Sequence, residues 1–162
     1  GKGHKRSGKR VLAVGTDCSV GKKYAALCLE RDMQAAGFDA EFRATGQTGV
    51  LIAGRGVPLD AVVADFIAGV VCHEPTRTTM RGVATPLPTI AAVIEATIAM
   101  GRLTNPDIRC VGLCINTAKL DEDAARALLA ELAEEHGLPA TDPVRFGSAP
   151  VVDEIARIYG RP

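Results

Sequence analysis

The chain has 162 residues, of which 47% are hydrophobic and only 4% aromatic, and its formal net charge is zero. This composition is typical of an α/β domain with a core of small aliphatic side chains, and we assign that domain to residues 10–162. No apolar run approaches the roughly 20 residues that a membrane-spanning helix requires, and no apolar stretch precedes Val11 as in a signal peptide, so we expect a cytoplasmic protein.

The start of the chain is strongly basic. Its first ten residues hold no acid, and they contain Lys2, Lys5, Arg6, Lys9 and Arg10. Such a run is usually a solvated, flexible segment, although it could also touch nucleic acid or ligand phosphate. We interpret residues 1–9 as a basic linker.

The first predicted strand, residues 10–15, leads into the glycine-rich sequence GTDCSVGK, and a helix is predicted over residues 22–36. A strand that ends in glycine can turn sharply, so that the loop amides and the helix N-terminus form a nest for an anion. Lys22 adds a mobile positive charge to this nest. The order of strand, loop and helix predicts a phosphate-binding P-loop, the alternative being an ordinary structural turn.

The loop departs from the usual pattern GxxxxGK followed by Ser or Thr, in which the hydroxyl binds Mg²⁺. The interval after Gly15 is one residue longer, and Lys23 stands at the hydroxyl position. We therefore expect no metal site, and a ligand that is anchored by its phosphates without phosphoryl transfer. The predicted ligand contacts in the loop and the first helical turn are Gly15, Thr16, Cys18, Ser19, Val20, Gly21, Lys23 and Tyr24.

Strands and helices alternate along the rest of the chain, which predicts a three-layer P-loop NTPase-like α/β fold with a mostly parallel sheet. Further strands are predicted over residues 40–44, 70–73, 109–116 and 144–146. Further helices are predicted over residues 59–68, 88–100, 121–136 and 151–158. Because the carboxyl ends of parallel strands meet at one edge and bind ligands there, we expect Gly15, His73 and Asn116 to share one rim.

Two polar segments follow the second and third predicted strands. The sequence RATGQTG could hold a phosphate or a carboxylate, or it could be an ordinary turn, and its candidate contacts are Arg43, Thr45, Gln47 and Thr48. The sequence HEPTRTTMR carries Arg77 and Arg81, which either bind carboxylates through paired hydrogen bonds or lie on the surface. His73 fits a structural residue at a strand end better than a base.

A third polar segment, NTAKL, follows the strand predicted over residues 109–116. Asn116 either binds a base edge or amide of the ligand, or it caps the helix that is predicted to begin near Asp121. We count it among the candidate cofactor contacts.

The predicted helix over residues 59–68 is followed by the strand over residues 70–73 after a single residue, whereas connections usually have two to six. Either the turn at Gly69 is very tight or residues are missing from the sequence between Gly69 and Val70.

The odd number of five cysteines and the absence of a CxxC pair argue against a disulfide framework. We expect free thiols in a reducing cytoplasm. Cys110 and Cys114 are four residues apart in one predicted strand, so that regular alternation would place both on the same face.

Four stretches together resemble a known family: GTDCSVGKK, RATGQTGVLIAGRGVPLDAVVADFIAG, CHEPTRTTMRG and NTAKL. They are similar to the C-terminal P-loop domain of a two-domain bacterial family, formerly of unknown function and often mislabelled NAD-dependent epimerase/dehydratase. That family includes D-glutamate N-acetyltransferases. Two parts of the family pattern have no counterpart in this sequence: an N-terminal Rossmann-like domain, and a strand with a glycine-rich loop between DFIAG and Val70.

The resemblance implies a domain that binds the phosphates of acetyl-CoA and supports N-acetylation of an acidic D-amino acid. Such chemistry needs a base for the acceptor ammonium and a group that stabilises the oxyanion. The candidates are Asp17 for the first and Lys22 for the second.

The GTDxxVGK loop also resembles that of dethiobiotin synthetase, so an ATP- and Mg²⁺-dependent ligase or kinase is the alternative. A non-catalytic nucleotide-binding module is a third possibility. For partners we expect a small acidic amino acid and a second copy of the chain in a homo-oligomer, but neither nucleic acid nor membrane.

Overall fold

The computed structural model describes residues 9–44, 52, 68–103 and 105–160. Within these residues the sheet has four strands in the order β1-β2-β3-β4, and each strand pairs in parallel with the next. The strands are β1 (Val11–Gly15), β2 (Ala68–His73), β3 (Arg109–Ile115) and β4 (Ala140–Thr141). The predicted α/β fold with a parallel sheet is confirmed.

The described helices of several turns are α1 (Lys22–Ala35), α2 (Ile90–Gly101), α3 (Glu122–His136) and α4 (Ala149–Tyr159). Local signals in the sequence set their ends. The Thr89 side chain accepts a hydrogen bond from the Ala92 amide at 3.1 Å at the start of α2, and Asp121 accepts one from Ala124 at 2.8 Å at the start of α3. None of the described helices is long and apolar enough to cross a membrane.

The helices cover both faces of the sheet, so that the sheet is the middle one of three layers. On one face, Leu29 of α1 and Ile155 of α4 pack with Val70 of β2. On the other face, Leu129 of α3 and Leu113 of β3 belong to a second cluster. Full burial of each such side chain stabilises the fold by roughly 1.5–3 kcal/mol, so the core holds the strand ends in fixed positions.

A break in register separates two cysteines that were predicted to share a face. Gly69 pairs with Cys110, but Val70 pairs with Gly112, so β3 has an extra residue at this point. Cys110 packs against the cluster on the α2 and α3 face, whereas Cys114 lies in the cluster on the α1 and α4 face. The prediction is wrong because it assumed unbroken alternation, which a bulge reverses.

The strand predicted over residues 40–44 is also wrong. Residues 40–43 are irregular, and only Ala44 forms an isolated bridge. The backbone here bonds to side chains of α1: the Phe42 amide donates to Glu30 at 2.6 Å, and Gln34 donates to the Ala40 carbonyl at 2.8 Å. The Phe42 amide and the Ala40 carbonyl are thus satisfied by side chains, and sheet-type pairing is confined to Ala44.

The last strand lies earlier than the predicted residues 144–146. It covers Ala140–Thr141, and a turn follows. The Asp142 carboxylate accepts hydrogen bonds from the amides of Val144 and Arg145 at 3.0 and 3.2 Å. These two hydrogen bonds hold the chain in a turn, and the turn ends the strand.

The helix predicted over residues 59–68 lies outside the described residues except for Ala68, which opens β2. Ala68 and Gly69 pair with Val11 and Leu12 of β1. Strand β2 therefore begins two residues before its predicted start, and the helix cannot extend to Ala68.

Candidate functional site

The carboxyl ends of β1, β2 and β3 bring three polar loops to one edge of the sheet. The Thr16 amide donates to the Cys72 carbonyl at 3.1 Å, and the Asn116 amide donates to the His73 carbonyl at 2.8 Å. Gly15, His73 and Asn116 therefore lie on one rim, as the sequence predicts.

The loop of residues 15–22, called the P-loop below, depends on two glycines. A Cβ at Gly15 would lie 2.7 Å from Cγ2 of Val20, and Gly21 has a φ of 104°, which favours glycine. Ser19 also has a positive φ of 56°. Val20 is 1% exposed and packs in the core, so only the backbone of this predicted contact can face a ligand.

Lys22 begins α1 and bends back across the P-loop, where its ammonium donates to the Asp17 carbonyl at 2.6 Å. Its charge and the helix N-terminus lie together, and this is the arrangement that holds a phosphate. The ammonium of Lys23 instead lies 4.6 Å from the centre of the ring of Tyr24, which is 57% exposed. Among the described residues, no group of three His, Cys, Asp or Glu side chains could hold a metal ion.

The Asp17 carboxylate links the P-loop to the segment after β2 through hydrogen bonds. It accepts a hydrogen bond from the Arg81 amide at 2.7 Å and another from the Arg77 guanidinium. Arg77 also donates to the Cys18 carbonyl at 3.1 Å, and the Arg81 guanidinium donates to Oγ of Ser19 at 2.7 Å. We call these five residues the Asp17 clamp.

The clamp determines what Asp17 can do chemically. The Arg81 amide and the Arg77 guanidinium lower the pKa of Asp17 to about 2. A carboxylate that binds a proton so weakly and already accepts two hydrogen bonds is a poor general base. The environment of Asp17 therefore suits positioning, not the base role predicted for it.

Residues 78–87 form a short hairpin that carries Arg81 to the P-loop. The Met80 amide donates to the Thr85 carbonyl at 2.8 Å, and the Leu87 amide donates to Thr78 at 3.0 Å. Gly82 turns the chain with a φ of 82°. The hairpin thus forms one wall of the site.

A cavity of about 520 Å³ that is widely open to solvent lies between the hairpin, the P-loop and the loop after β3. Its charged lining residues are Glu74, Arg77, Arg81 and Lys119. Oε1 of Glu74 accepts hydrogen bonds from Lys119 at 2.7 Å and from the Thr76 hydroxyl at 3.2 Å. The bond from Lys119 lowers the pKa of Glu74, so this carboxyl is ionised at neutral pH.

Sequence reasoning missed Glu74 and Lys119 as site residues. Both belong to segments that it singled out, HEPTR and NTAKL, but their pairing joins positions 45 residues apart. The signal available in the sequence was that each of these two segments contains a charged residue.

The imidazole of His73 lies beside the P-loop, with Nδ1 3.0 Å from Oγ1 of Thr16. Thr16 is 2% exposed and His73 is half-buried. Burial lowers the pKa of His73, so that the ring is neutral at pH 7 and able to accept a proton.

Asn116 does not cap α3, since Asp121 takes that role. Its Oδ1 accepts from the Ala118 amide at 3.2 Å, and its Cβ lies 3.9 Å from the position that a Cβ would occupy at Gly21. The residue is therefore placed to contact a ligand of the P-loop. The backbone around it is rigid, because Thr117 donates through its amide and hydroxyl to Asp142 at 2.8 and 2.7 Å.

Of the predicted contacts in the RATGQTG segment, Arg43 lies within the described residues. Arg43 is paired with Glu41, with its Nε 2.9 Å from Oε2. The other predicted contacts, Thr45, Gln47 and Thr48, lie outside the described residues.

Comparison with known proteins identifies relatives over nearly the whole chain. The family model described as "Domain of unknown function (DUF1611_C) P-loop domain" matches residues 1–71 and 70–152. A D-glutamate N-acetyltransferase of Tritonibacter scottomollicae is 40% identical over 201 aligned positions, which cover 96% of this chain and 60% of that protein. Another from Pseudoalteromonas sp is 38% identical over 197 positions, with coverages of 94% and 59%.

A solved structure also matches. The crystal structure of a DUF1611 family protein from Anabaena variabilis superimposes with a TM-score of 0.82 at 30% identity, covering 92% of this chain and 57% of that one. The chain thus spans about 60% of the length of the curated relatives it matches. Both alignments with these relatives contain more positions than the 162 residues of this chain, so the relatives have additional residues inside the aligned stretch.

Proposed function

Because the chain belongs to the DUF1611 family of P-loop domains, we propose that it provides the donor site and part of the acceptor site of a D-glutamate N-acetyltransferase, with acetyl-CoA as co-substrate. The observation that carries this proposal is that the P-loop and the neighbouring cavity share one wall. The Asp17 clamp joins the P-loop to the cavity that Arg81 and Lys119 line. A donor held by its phosphates and an acidic acceptor would lie side by side, as group transfer requires.

The donor occupies the P-loop. Backbone amides of residues 17–22, the N-terminus of α1 and the Lys22 ammonium hold the phosphates of CoA, and Asn116 contacts the same ligand from the neighbouring loop. The same amides or Lys22 stabilise the oxyanion that forms when the acceptor nitrogen attacks the acetyl carbonyl.

His73 takes the place of Asp17 as the general base. It is neutral at pH 7, lies on the same rim and has its ring held by Thr16. The imidazole removes one proton from the acceptor ammonium, and the freed amine attacks the acetyl carbonyl to form the new C–N bond. The tetrahedral oxyanion then collapses and the C–S bond breaks, and the second proton of the nitrogen passes to the departing CoA thiolate. Asp17 and Arg77 keep the P-loop and the hairpin together for this step.

We also propose that the additional residues of the relatives insert between Gly69 and Val70. Three observations support this position: the lengths of the alignments, the division of the family match near residue 70, and the break in register between β2 and β3 at the same peptide. The inserted segment would interrupt β2 after Gly69 and lead into the part of this strand that carries His73. Residues 1–9 then act as a linker, and the protein works in the cytoplasm as a homo-oligomer.

The first test separates this function from the ATP-dependent one. We expect the full-length protein to acetylate D-glutamate with acetyl-CoA in the presence of EDTA, because Lys23 replaces the metal-binding hydroxyl. The same preparation should release no phosphate from ATP and Mg²⁺. Product formation is followed by mass spectrometry, and phosphate by a colorimetric assay. Phosphate release without acetyl transfer would replace this proposal by a ligase or kinase, which the likeness of the loop to dethiobiotin synthetase favours.

The second test concerns Arg77. We expect Arg77→Lys to weaken the binding of CoA and of D-glutamate alike, by about tenfold each. A lysine ammonium lacks the planar fork whose two terminal nitrogens bond to the Asp17 carboxylate and the Cys18 carbonyl. Calorimetry with each ligand alone measures the two effects. Arg126→Lys is the matched control, since Arg126 pairs with Glu122 on the exposed surface of α3. A loss confined to D-glutamate would assign Arg77 to the acceptor instead.

A further inference from the structure

We propose that Glu74 binds the ammonium group of an amino dicarboxylate in the cavity beside the P-loop, and that Arg81 and Lys119 bind its two carboxylates. This inference rests on the proposed function and names the residues that select its acceptor. Neither Glu74 nor Lys119 is part of the phosphate-binding loop.

The charged side chains that line the cavity differ in their exposure and in the partners to which they are already bonded. Arg77 is 16% exposed, and its guanidinium is bonded to Asp17 and Cys18. Lys119 is 63% exposed, and Arg81 is exposed as well. Glu74 is 11% exposed and is paired with the Lys119 ammonium, and the Arg81 guanidinium is bonded to Oγ of Ser19. Two exposed cations and one largely buried acid therefore line the cavity.

This set is complementary to one class of ligand. An amino dicarboxylate at neutral pH carries two carboxylates and one ammonium, so each of its charges can meet an opposite charge. A ligand with anionic groups alone would leave the Glu74 carboxylate next to like charge, which costs binding energy. The cavity thus selects for a primary amine together with two acids.

The carboxylate of Glu74 has an oxygen in position for the ammonium. Oε1 accepts from Lys119 and Thr76, whereas Oε2 lies 3.9 Å from Arg77, beyond hydrogen-bond distance. A ligand ammonium can bond to Oε2 while Lys119 stays at Oε1. Lys119 then lies next to Glu74, which holds the ligand ammonium, and also next to one carboxylate of the same ligand.

The test compares D-glutamate with glutarate, which has both carboxylates but no ammonium. Calorimetry on the full-length protein would give the affinity of each for the wild type, Glu74→Gln and Lys119→Met. We expect Glu74→Gln to weaken D-glutamate at least tenfold and to leave glutarate unchanged or bound more tightly. Lys119→Met should weaken both ligands.

Two controls keep the result specific. Glu122→Gln makes the same change at an exposed ion pair on α3 and should alter neither affinity, and unchanged CoA binding by Glu74→Gln would show that the fold is intact. Equal loss of both ligands in Glu74→Gln, or no loss of D-glutamate, overturns the inference. If D-glutamate binding depends on Glu74 but no acetyl transfer occurs, the proposed function fails and the binding site stands.

Discussion

We expect Lys22→Ala to weaken CoA binding by about 10- to 150-fold, which corresponds to the roughly 1.5–3 kcal/mol of a hydrogen bond to a charged group. The Lys22 ammonium lies across the P-loop on the Asp17 carbonyl, where a phosphate would bring it a stronger, charge-assisted partner. Calorimetry measures the affinity for CoA and for pantetheine, which lacks the phosphates of CoA. Only the affinity for CoA should fall.

Lys9→Ala is the matched control for this change. Lys9 is also a lysine bonded to a backbone carbonyl, that of Tyr159 at 3.1 Å, but it lies at the other end of β1 from the P-loop. Its loss should leave the affinity for CoA within twofold. If Lys22→Ala keeps full affinity for CoA and an intact fold, phosphate binding by the P-loop is wrong.

The P-loop could be predicted from sequence because its signals are local. Gly15 ends a strand, Gly21 adopts a left-handed conformation, and Lys22 opens a helix, all within eight residues. Glycine conformation and helix N-termini depend on neighbouring residues, so that the order of the residues specifies the geometry. The helices with their own capping side chains, such as Asp121 of α3, were predictable for the same reason.

The Asp17 clamp could not be predicted in this way. Asp17 and Arg77 are 60 residues apart, and no spacing rule relates a loop residue of one βα unit to a loop residue of the next. The sequence therefore suggested a base role for Asp17 and carboxylate binding for Arg77, whereas in the structure the two side chains bind one another. Knowledge of the strand order was needed to pair them.

Competition between backbone and side chains explains the misplaced strands. The residues around Phe42 were predicted to form a strand, but Glu30 and Gln34 of α1 bond to their backbone. Asp142 does the same after β4 by accepting from the amides of Val144 and Arg145. A side chain that supplies a backbone partner locally removes the need for a sheet neighbour, and propensity does not show this.

We expect His73→Gln to lower kcat by a factor of about 10² to 10⁴, the usual contribution of a general base. The dissociation constant of CoA should change little, because the imidazole bonds to Thr16 and not to the phosphate-binding amides. In the wild type, kcat should fall as the pH decreases, since protonation removes the base. Burial lowers the pKa of His73, so the midpoint should lie below the ordinary value of about 6.5.

The pH profile of the variants decides between His73 and Asp17. His73→Gln should abolish the acid limb, and the remaining activity should be independent of pH near neutrality. Asp17→Asn should weaken ligand binding by loosening the contacts with Arg77 and Arg81, yet keep the acid limb with an unchanged midpoint. Thr16→Val should lower kcat about tenfold, because the ring loses the hydroxyl that orients Nδ1. If the acid limb persists in His73→Gln and disappears in Asp17→Asn, the carboxylate is the base despite its low pKa, and His73 has a structural role at the end of β2.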